Sequence, residues 1–183
     1  MAECLHAEGW HVSAVVRSTS QRDVLPPTVR DDMQFYDADQ MPLLEIVRTA
    51  APDVVFHLAT YYTTEHSPAE IDALISANIT FGTKLLDAMA QHGVQNFVYA
   101  RSSWQYYRGD AYEPVNLYAA SKEAFDAMVR FYESAHDLHS IRLTLFDTYG
   151  EHDRRNKLLA VLPTLAAQGK RLALSEGEQY VDF

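Results

Sequence analysis

Short apolar runs alternate along the chain with amphipathic stretches, and this alternation is typical of a sheet of parallel strands joined by helices. The strongest strand signal is residues 53–58, DVVFHL, a continuous β-branched and aromatic run suited to a buried strand. Weaker runs predict further strands at residues 12–16, 33–36, 97–100, 141–146 and 171–175. We therefore expect an α/β fold built on a doubly wound parallel sheet.

Five amphipathic segments predict the helices, at residues 2–8, 43–49, 67–93, 115–135 and 158–168. The longest of them has a well-defined beginning. Ser67 is suited to the N-cap, Pro68 to the first helical position, and Glu70 to the third position of a capping box. Gly93 is suited to end the helix.

Composition narrows the possible functions. The chain has 183 residues, of which 48% are hydrophobic, enough for one domain with a sizeable core. A formal net charge of −10 disfavours nucleic acids and anionic membranes as partners, although a local positive pocket can still bind an anionic cofactor.

The expected location is the cytoplasm. No apolar run approaches the length of a membrane span, and the acidic N-terminus lacks the features of a signal peptide. Cys4 is the only cysteine, which fits a reducing compartment, and we expect it to be a buried filler residue. No metal site is predicted.

One pair of side chains carries candidate chemistry. Tyr118 and Lys122 are four residues apart on a predicted helix and therefore share one face. A phenol ordinarily titrates near ~10, and a neighbouring ammonium group favours the phenolate, which brings the pKa toward working pH. Such a phenol can exchange a proton with a carbonyl or alcohol oxygen while a hydride moves at carbon. Taken alone, this spacing is more often a solvated helix face.

A hydroxyl group strengthens this interpretation. Ser102 follows the predicted strand at residues 97–100, and the carboxyl ends of strands are where open α/β sheets bind ligands. Ser102 could therefore hydrogen-bond the same substrate oxygen as Tyr118. Taken alone, a polar turn residue is the commoner explanation.

Five segments resemble, in order and spacing, the extended short-chain dehydrogenase/reductase family, which includes the NAD-dependent sugar-nucleotide epimerases, dehydratases and reductases. They are DVVFHLA, NITFGTKLLDA, FVYARSSWQYY, LYAASK and LFDTYG. Within the family, the turn with Trp104 and the runs EPVNLYAASK, RRNKL and LSEGEQ resemble CDP-abequose synthase-like sugar-nucleotide reductases most closely. The resemblance implies a Rossmann-like fold, a nicotinamide cofactor and a nucleotide-sugar substrate.

The resemblance implies roles for the matching positions. Ser102 corresponds to the catalytic Ser or Thr of the family, Tyr118 to its general acid/base, and Lys122 to the lysine that binds the cofactor's ribose and lowers the pKa of the tyrosine. Asp37 corresponds to a residue that contacts the adenine. The other cofactor-binding positions implied are Leu58, Ala59, Thr60 and Asn78. His57, in the same strand motif, is interpreted as a packed core histidine.

The residue after the strand at 12–16 bears on the choice of cofactor. Members of the family that prefer NAD have an acidic residue there for the ribose hydroxyls, whereas this chain has Arg17. An Arg suits the additional phosphate of NADP. We expect NADP, with NAD as the alternative, although an Arg at a strand end is often simply solvated.

Substrate contacts implied by the resemblance lie at Ser103, Trp104, Asp147, Arg155 and Lys157. Asp147 stands where many members have an Asn, and a carboxylate beside a diphosphate needs a cation to pair with it. Arg154, Arg155 and Lys157 are the expected diphosphate-neutralising residues. Tyr107 replaces a family glycine, and its ring would narrow the sugar pocket.

Two differences from the family limit the expected reaction. The dehydratases have Asp-Glu directly after the catalytic hydroxyl residue, whereas this chain has Ser103 and Trp104, so we do not expect dehydration. Reduction of a keto-deoxysugar nucleotide is the expected reaction, and epimerisation with a retained NAD is the alternative. In addition, neither G-x-G-x-x-G nor G-x-x-G-x-x-G occurs, and the chain begins in the helix that such a turn would precede.

We therefore expect residues 1–170 to form a partial Rossmann domain and residues 171–183 to begin the substrate-binding lobe. The absent first strand would lie between the strands at 12–16 and 53–58, so the sheet should have a gap there or close differently. Three explanations are open: a truncated record of a longer enzyme, a non-catalytic binding remnant, or a split enzyme completed by another chain. The resemblance also implies a homodimer formed through the two longest helices.

Overall fold

The computed structural model of the chain describes residues 1–106, 109, 111–148 and 158–173, without the side chains of residues 159 and 160. The strands in this part are β1 Ser13–Val16, β2 Gln34–Asp37, β3 Val54–His57, β4 Asn96–Ser102 and β5 His139–Leu145. Its α-helices are α1 Ala2–Ala7, α2 Pro27–Arg30, α3 Leu43–Ala50, α4 Ile71–Ile75, α5 Phe81–Gln91, α6 Leu117–His136 and α7 Leu158–Ala167. Shorter helical turns lie at Pro68–Glu70, Ser76–Thr80 and Ser103–Gln105.

The strands form two separate parallel sheets. β1 pairs with β2, and the second sheet has the order β3–β4–β5. Within the described residues no strand joins β1 to β3, in agreement with the gap expected at that point. The strand predicted at 171–175 is wrong for residues 171–173, which are not in a strand, and residues 174 and 175 lie outside the described part.

The core lies around the three-stranded sheet. β4 buries Phe97, Val98 and Tyr99, and the first and last of these pack in one cluster with residues of α3, α5 and α6. Helices α5 and α6 approach closely where Gly82 meets Phe125: a Cβ at Gly82 would come within 2.6 Å of the ring carbon Cζ. A glycine is therefore needed for this helix crossing.

The predicted helix at 67–93 is interrupted by a π-helical turn. Its capping box is as predicted, since the Glu70 carboxylate accepts hydrogen bonds from the backbone N–H and the hydroxyl of Ser67 at 2.8 and 2.7 Å. After α4, residues Ser76–Thr80 form the π-turn before α5 begins at Phe81. Such turns insert an extra residue into a helix and often lie at functional sites.

Two smaller expectations have different outcomes. Cys4 is exposed on α1, so the prediction of a buried filler residue is wrong. A six-residue helix buries little of its surface, and the structure has no buried residue on α1. By contrast, no helix in the described ranges combines the length and the apolar character that crossing a membrane requires.

Candidate active site

The predicted catalytic groups meet at the carboxyl end of β4. Ser102 is the last residue of that strand and is 9% exposed. Tyr118 lies in the first turn of α6, where the side chain of the N-cap residue Asn116 accepts a hydrogen bond from the Ala119 N–H at 3.0 Å. The hydroxyl groups of Ser102 and Thr60 both interact with the Tyr118 phenol.

The protonation of Tyr118 differs from the expectation. Burial raises the pKa of the phenol above its ordinary value, and the hydroxyls of Thr60 and Ser102 only partly oppose this effect. The expected lowering by Lys122 is not found, because its ammonium lies 5.9 Å from the centre of the Tyr118 ring and the dominant influence on the phenol is desolvation. The phenol is therefore held in the protonated form, which suits a proton donor.

Lys122 is buried beneath the same edge of the sheet. It is 4% exposed, and its Nζ donates a hydrogen bond to the Ala100 carbonyl oxygen at 3.2 Å. Burial lowers the pKa of Lys122 to about 8. A buried ammonium retains further donors that can bind an oxygen of a ligand, because one carbonyl uses only one of its three hydrogens.

The loop after β3 is held in place by Asn78. The Asn78 amide oxygen accepts hydrogen bonds from the Thr60 hydroxyl at 2.9 Å and from the Tyr61 N–H at 2.7 Å. Its amide nitrogen donates to the Tyr61 carbonyl at 3.0 Å and to the Ser121 hydroxyl at 2.9 Å. Asn78 is 2% exposed and lies in the π-turn, so it positions the loop that carries Thr60.

Leu58, Ala59 and Thr60 are exposed, as a surface that receives a ligand requires. They follow β3 at the carboxyl edge of the sheet, the same edge at which β4 ends with Ser102. The structure thus brings this predicted cofactor-binding loop beside the predicted catalytic groups. His57, just before the loop, is 4% exposed and packs against Phe81, Phe97 and Phe125, as predicted for a core histidine.

Sequence reasoning missed a buried polar network beneath Ser102. Gln105 is fully buried; its amide oxygen accepts a hydrogen bond from the Ser102 N–H at 3.0 Å, and its amide nitrogen donates to Glu123 at 2.7 Å. Arg101 also donates to Glu123, at 3.2 Å, and to the Tyr106 hydroxyl. These hydrogen bonds connect the turn after β4 to Glu123 of α6, the residue that follows Lys122.

Asp126 extends this network into the core. It is fully buried and accepts hydrogen bonds from the Tyr99 hydroxyl and from Arg130. Its Oδ1 also lies 3.5 Å from Nε of Arg101 and 3.4 Å from Nε of Arg142. Burial works to raise the pKa of Asp126, but the Tyr99 hydrogen bond and the two arginine charges outweigh it, so the pKa is lowered.

A second feature missed in the sequence is an aromatic wall, formed by Tyr62 and Trp104, beside Tyr118. The ring centres of Tyr62 and Trp104 are 5.7 Å apart, and Tyr62 meets Tyr118 edge-on at 5.1 Å. Tyr62 is 48% exposed. The predicted substrate residue Trp104 lies here, in the turn Ser103–Gln105 that also contains Ser103.

The residues predicted to bind the adenosine end lie on the other sheet. Arg17 follows β1 and Asp37 ends β2, and the two strands pair through Val16 and Asp37. Asp37 accepts hydrogen bonds from the Ser18 hydroxyl at 2.7 Å and from the Asp39 N–H at 2.9 Å. Arg17 is exposed. The structure therefore places these two residues near each other, on a different sheet from Ser102.

The remaining substrate positions are only partly described. Asp147 is half-buried just after β5. Tyr107, Arg154, Arg155 and Lys157 lie outside the described residues. In the part of the chain that is described, no three His, Cys, Asp or Glu side chains are grouped so that they could hold a metal ion.

The chain belongs to the NAD dependent epimerase/dehydratase family, whose sequence profile matches residues 1–183. Among individual relatives, CDP-abequose synthase of Salmonella typhimurium is 24% identical over 186 residues, covering 100% of this chain and 60% of the relative. UDP-glucose 4-epimerase of Corynebacterium glutamicum is 25% identical over 144 residues, covering 74% of this chain and 43% of the relative. These matches confirm the resemblance inferred from the sequence motifs.

Solved structures confirm the Rossmann-like fold. UDP-glucose 4-epimerase of Thermotoga maritima, solved with UDP-glucose, superposes with a TM-score of 0.82 at 20% identity and covers 96% of this chain and 62% of that one. UDP-glucose 4-epimerase of Brucella ovis, solved with NAD, has a TM-score of 0.77 at 22% identity. The match covers 92% of this chain and 57% of that one. This chain thus spans about 60% of the length of such relatives.

The described residues fit one end of a nicotinamide cofactor. An exposed loop at the carboxyl edge, a buried lysine with further donors and a protonated phenol have the chemistry that a ribose and a reacting ring would need. The 183-residue sequence contains no glycine-rich turn of the dinucleotide-binding type, the element that commonly binds the diphosphate of such a cofactor.

Proposed function

We propose that the chain carries the proton-donating site of a nucleotide-sugar oxidoreductase that reduces a keto-deoxysugar nucleotide. The observation that carries this proposal is the cluster of the Tyr118 phenol with the hydroxyls of Ser102 and Thr60 at the end of β4. Membership of the NAD dependent epimerase/dehydratase family supports it, as does similarity to a CDP-abequose synthase.

Each residue has a defined part in this proposal. When bound, a nicotinamide cofactor would supply the hydride for reduction at the carbonyl carbon of the sugar. Tyr118 gives its phenolic proton to the carbonyl oxygen, so that the ketone becomes an alcohol and the phenol becomes a phenolate. Ser102 donates a hydrogen bond that orients the same oxygen, and the buried Lys122 would bind the ribose of the cofactor.

The proposed cofactor is NADP, with NAD as the alternative. The exposed guanidinium of Arg17 at the end of β1 can pair with the extra phosphate of NADP. Asp37, at the end of the neighbouring strand, is proposed to lie by the adenine. The relatives solved with NAD support a nicotinamide cofactor without deciding between the two.

Epimerisation with a retained NAD is a second candidate function, favoured by the epimerases among the similar structures. It uses the same Ser102, Tyr118 and Lys122. The two candidates differ in stoichiometry, because reduction consumes one reduced cofactor per product whereas epimerisation consumes none. A non-catalytic remnant that binds another protein would do neither.

We further propose a homodimer in the cytoplasm, with residues 171–183 as the start of a sugar-binding lobe. Apolar side chains are exposed on the two longest helical segments: Ile71, Ile75, Met128 and Phe131. Their burial between two copies would explain this exposure. Analytical ultracentrifugation of the chain tests it, with a dimer expected and a monomer at all concentrations contradicting it.

Two measurements on the 183-residue chain test the proposed function. Calorimetric titrations with NADPH and NADH measure cofactor binding, and Lys122→Met should abolish whatever affinity is found. Incubation with NADPH and a keto-deoxysugar nucleotide should oxidise the cofactor in proportion to product. Product without net oxidation would identify an epimerase, and neither binding nor turnover would favour the remnant.

A further inference from the structure

We propose that the aromatic wall of Tyr62 and Trp104 is a sugar-binding subsite that selects the methyl group of a 6-deoxyhexose. This inference rests on the proposed function, since it concerns the substrate of the same site. Tyr62 belongs to the loop after β3 and Trp104 to the turn after β4, so residues from two strand ends create one surface.

The wall lies next to the reacting group. Tyr62 meets the Tyr118 ring edge-on at 5.1 Å between centres, and the ring centres of Trp104 and Tyr62 are 5.7 Å apart. The backbone N–H of Trp104 donates a hydrogen bond to the Ser102 hydroxyl at 3.3 Å, which fixes the turn that carries the indole. We expect a sugar whose reacting oxygen lies against Tyr118 and Ser102 to place a neighbouring group on these rings.

The position of Tyr62 is not explained by packing of the core. Nearly half of its side chain is exposed, whereas Tyr118 beside it is 8% exposed. The loop that carries Tyr62 is nevertheless held firmly, because the adjacent Tyr61 exchanges two hydrogen bonds with the buried Asn78. A large ring kept partly in water on a fixed loop is suited to cover an apolar part of a ligand.

The chemistry of the wall favours a methyl group over a hydroxymethyl group. A methyl group placed on the rings removes apolar surface from water on both sides. A hydroxyl placed there would lose hydrogen bonds to water, and the ring face would not replace them, so its burial is unfavourable. Of the groups that a deoxysugar presents, the 6-methyl projects from the ring, so it can reach the wall while the reacting oxygen stays at Tyr118.

A pair of ligands that differ by one oxygen tests the subsite. The chain is titrated by calorimetry with TDP-6-deoxyglucose, TDP-glucose and TDP. We expect the deoxysugar to bind about tenfold more tightly than TDP-glucose, the scale of discrimination for one small group in an apolar site. Tyr62→Ser should remove this preference, and Tyr62→Phe should keep it. Tyr112→Ser is the matched control, because Tyr112 is also 48% exposed.

Fluorescence locates the binding event. The chain has two tryptophans, so Trp10→Phe leaves Trp104 as the reporter. We expect both sugar nucleotides to change its emission and TDP to leave it unchanged. Equal affinity for the two sugars, or a preference that survives Tyr62→Ser, would overturn the subsite alone. Absence of sugar-nucleotide binding also overturns it, and the separate cofactor titrations then show whether the proposed function fails as well.

Discussion

β4 of the three-stranded sheet buries Phe97, Val98 and Tyr99, whereas β1 and β2 of the two-stranded sheet have no buried residue. Of the catalytic candidates, Ser102 ends β4 of the first sheet, and Tyr118 and Lys122 lie on α6, which shares a core cluster with that strand. Arg17 and Asp37 belong to the second. Groups that move protons must be held to within fractions of an ångström, and the better-packed sheet carries them. The adenosine end, which we propose that Arg17 and Asp37 bind, takes no part in proton transfer and tolerates a more exposed setting.

The largest expected effect is on stability, in a matched pair of phenylalanines. Phe97 lies at the second position of β4 and is 1% exposed, whereas Phe35 lies at the second position of β2 and is half-buried. Phe97→Ala should lower the free energy of unfolding by about 3–5 kcal/mol, the usual cost of emptying a core ring site. Phe35→Ala should cost under about 2 kcal/mol. Urea unfolding followed by circular dichroism measures both, and equal costs would refute the contrast between the sheets.

The next effect is a pH dependence that originates at His57. Burial, with a smaller contribution from the charge of Lys122, lowers the pKa of His57 to about 4, whereas the unfolded chain has a histidine pKa near ~6.5. The folded state therefore binds fewer protons. The stabilisation is fully present above about pH 6.5 and is lost as pH falls toward 4.

We expect this loss to amount to about 2–3 kcal/mol. Urea unfolding at a series of pH values measures it, as the difference between the wild-type chain and His57→Gln. His92→Gln is the control, since His92 is exposed. A difference between wild type and His57→Gln that does not change with pH would show that His57 is not buried in its neutral form.

A smaller effect is expected where a buried amide holds a loop. Asn78→Ala removes the hydrogen-bond partner of both the Tyr61 N–H and the Tyr61 carbonyl oxygen, which should cost about 1–3 kcal/mol. The comparable contact beside the other sheet is the exposed hydrogen bond from the Ser18 hydroxyl to the Asp37 carboxylate. Its removal in Ser18→Ala should lower the free energy of unfolding by under about 0.5 kcal/mol. Hydrogen exchange at the Tyr61 amide reports the first change directly. Unaltered exchange in Asn78→Ala would contradict the positioning role.

The smallest expected effect concerns the cofactor. Arg17→Ala should weaken binding of NADPH by about tenfold and leave binding of NADH unchanged, since only NADPH has the additional phosphate. Calorimetric titration with the two cofactors measures the ratio. The exposed Arg48 on α3, which pairs with Glu45, provides a control substitution. An equal change in affinity for both cofactors would show that Arg17 does not determine the preference for NADPH over NADH.

These comparisons also show what could be predicted from the sequence. The strand at 53–58, the capping box at Ser67 and the meeting of Ser102 with Tyr118 were predictable, because local periodicity and the edge rule for parallel sheets determine them. The roles of Gln105 and Tyr62 were not, since each depends on partners 18 or more residues away: Glu123 for Gln105, and the Tyr118 ring for Tyr62. Gln105 lies in a turn, where a buried amide has no periodic signature.

The pKa of Tyr118 is another property that spacing alone could not give. Residues four apart share a helix face, but the direction in which Lys122 points depends on its hydrogen bond to the Ala100 carbonyl. Burial of the phenol then dominates its protonation. Likewise, the Asn78 amide oxygen and nitrogen are both paired within the protein, so we expect Asn78 to act by holding the loop after β3 and not by contacting a cofactor itself.

The most direct test is the rate at which NADPH is oxidised by a keto-deoxysugar nucleotide, measured for the chain and for Tyr118→Phe. Loss of the proton donor should lower turnover by about a hundredfold or more, because general acid catalysis commonly contributes that much. Tyr112→Phe, which removes a hydroxyl from an exposed tyrosine, should leave the rate unchanged. Near-normal turnover in Tyr118→Phe, or no turnover in the unaltered chain, would contradict the account.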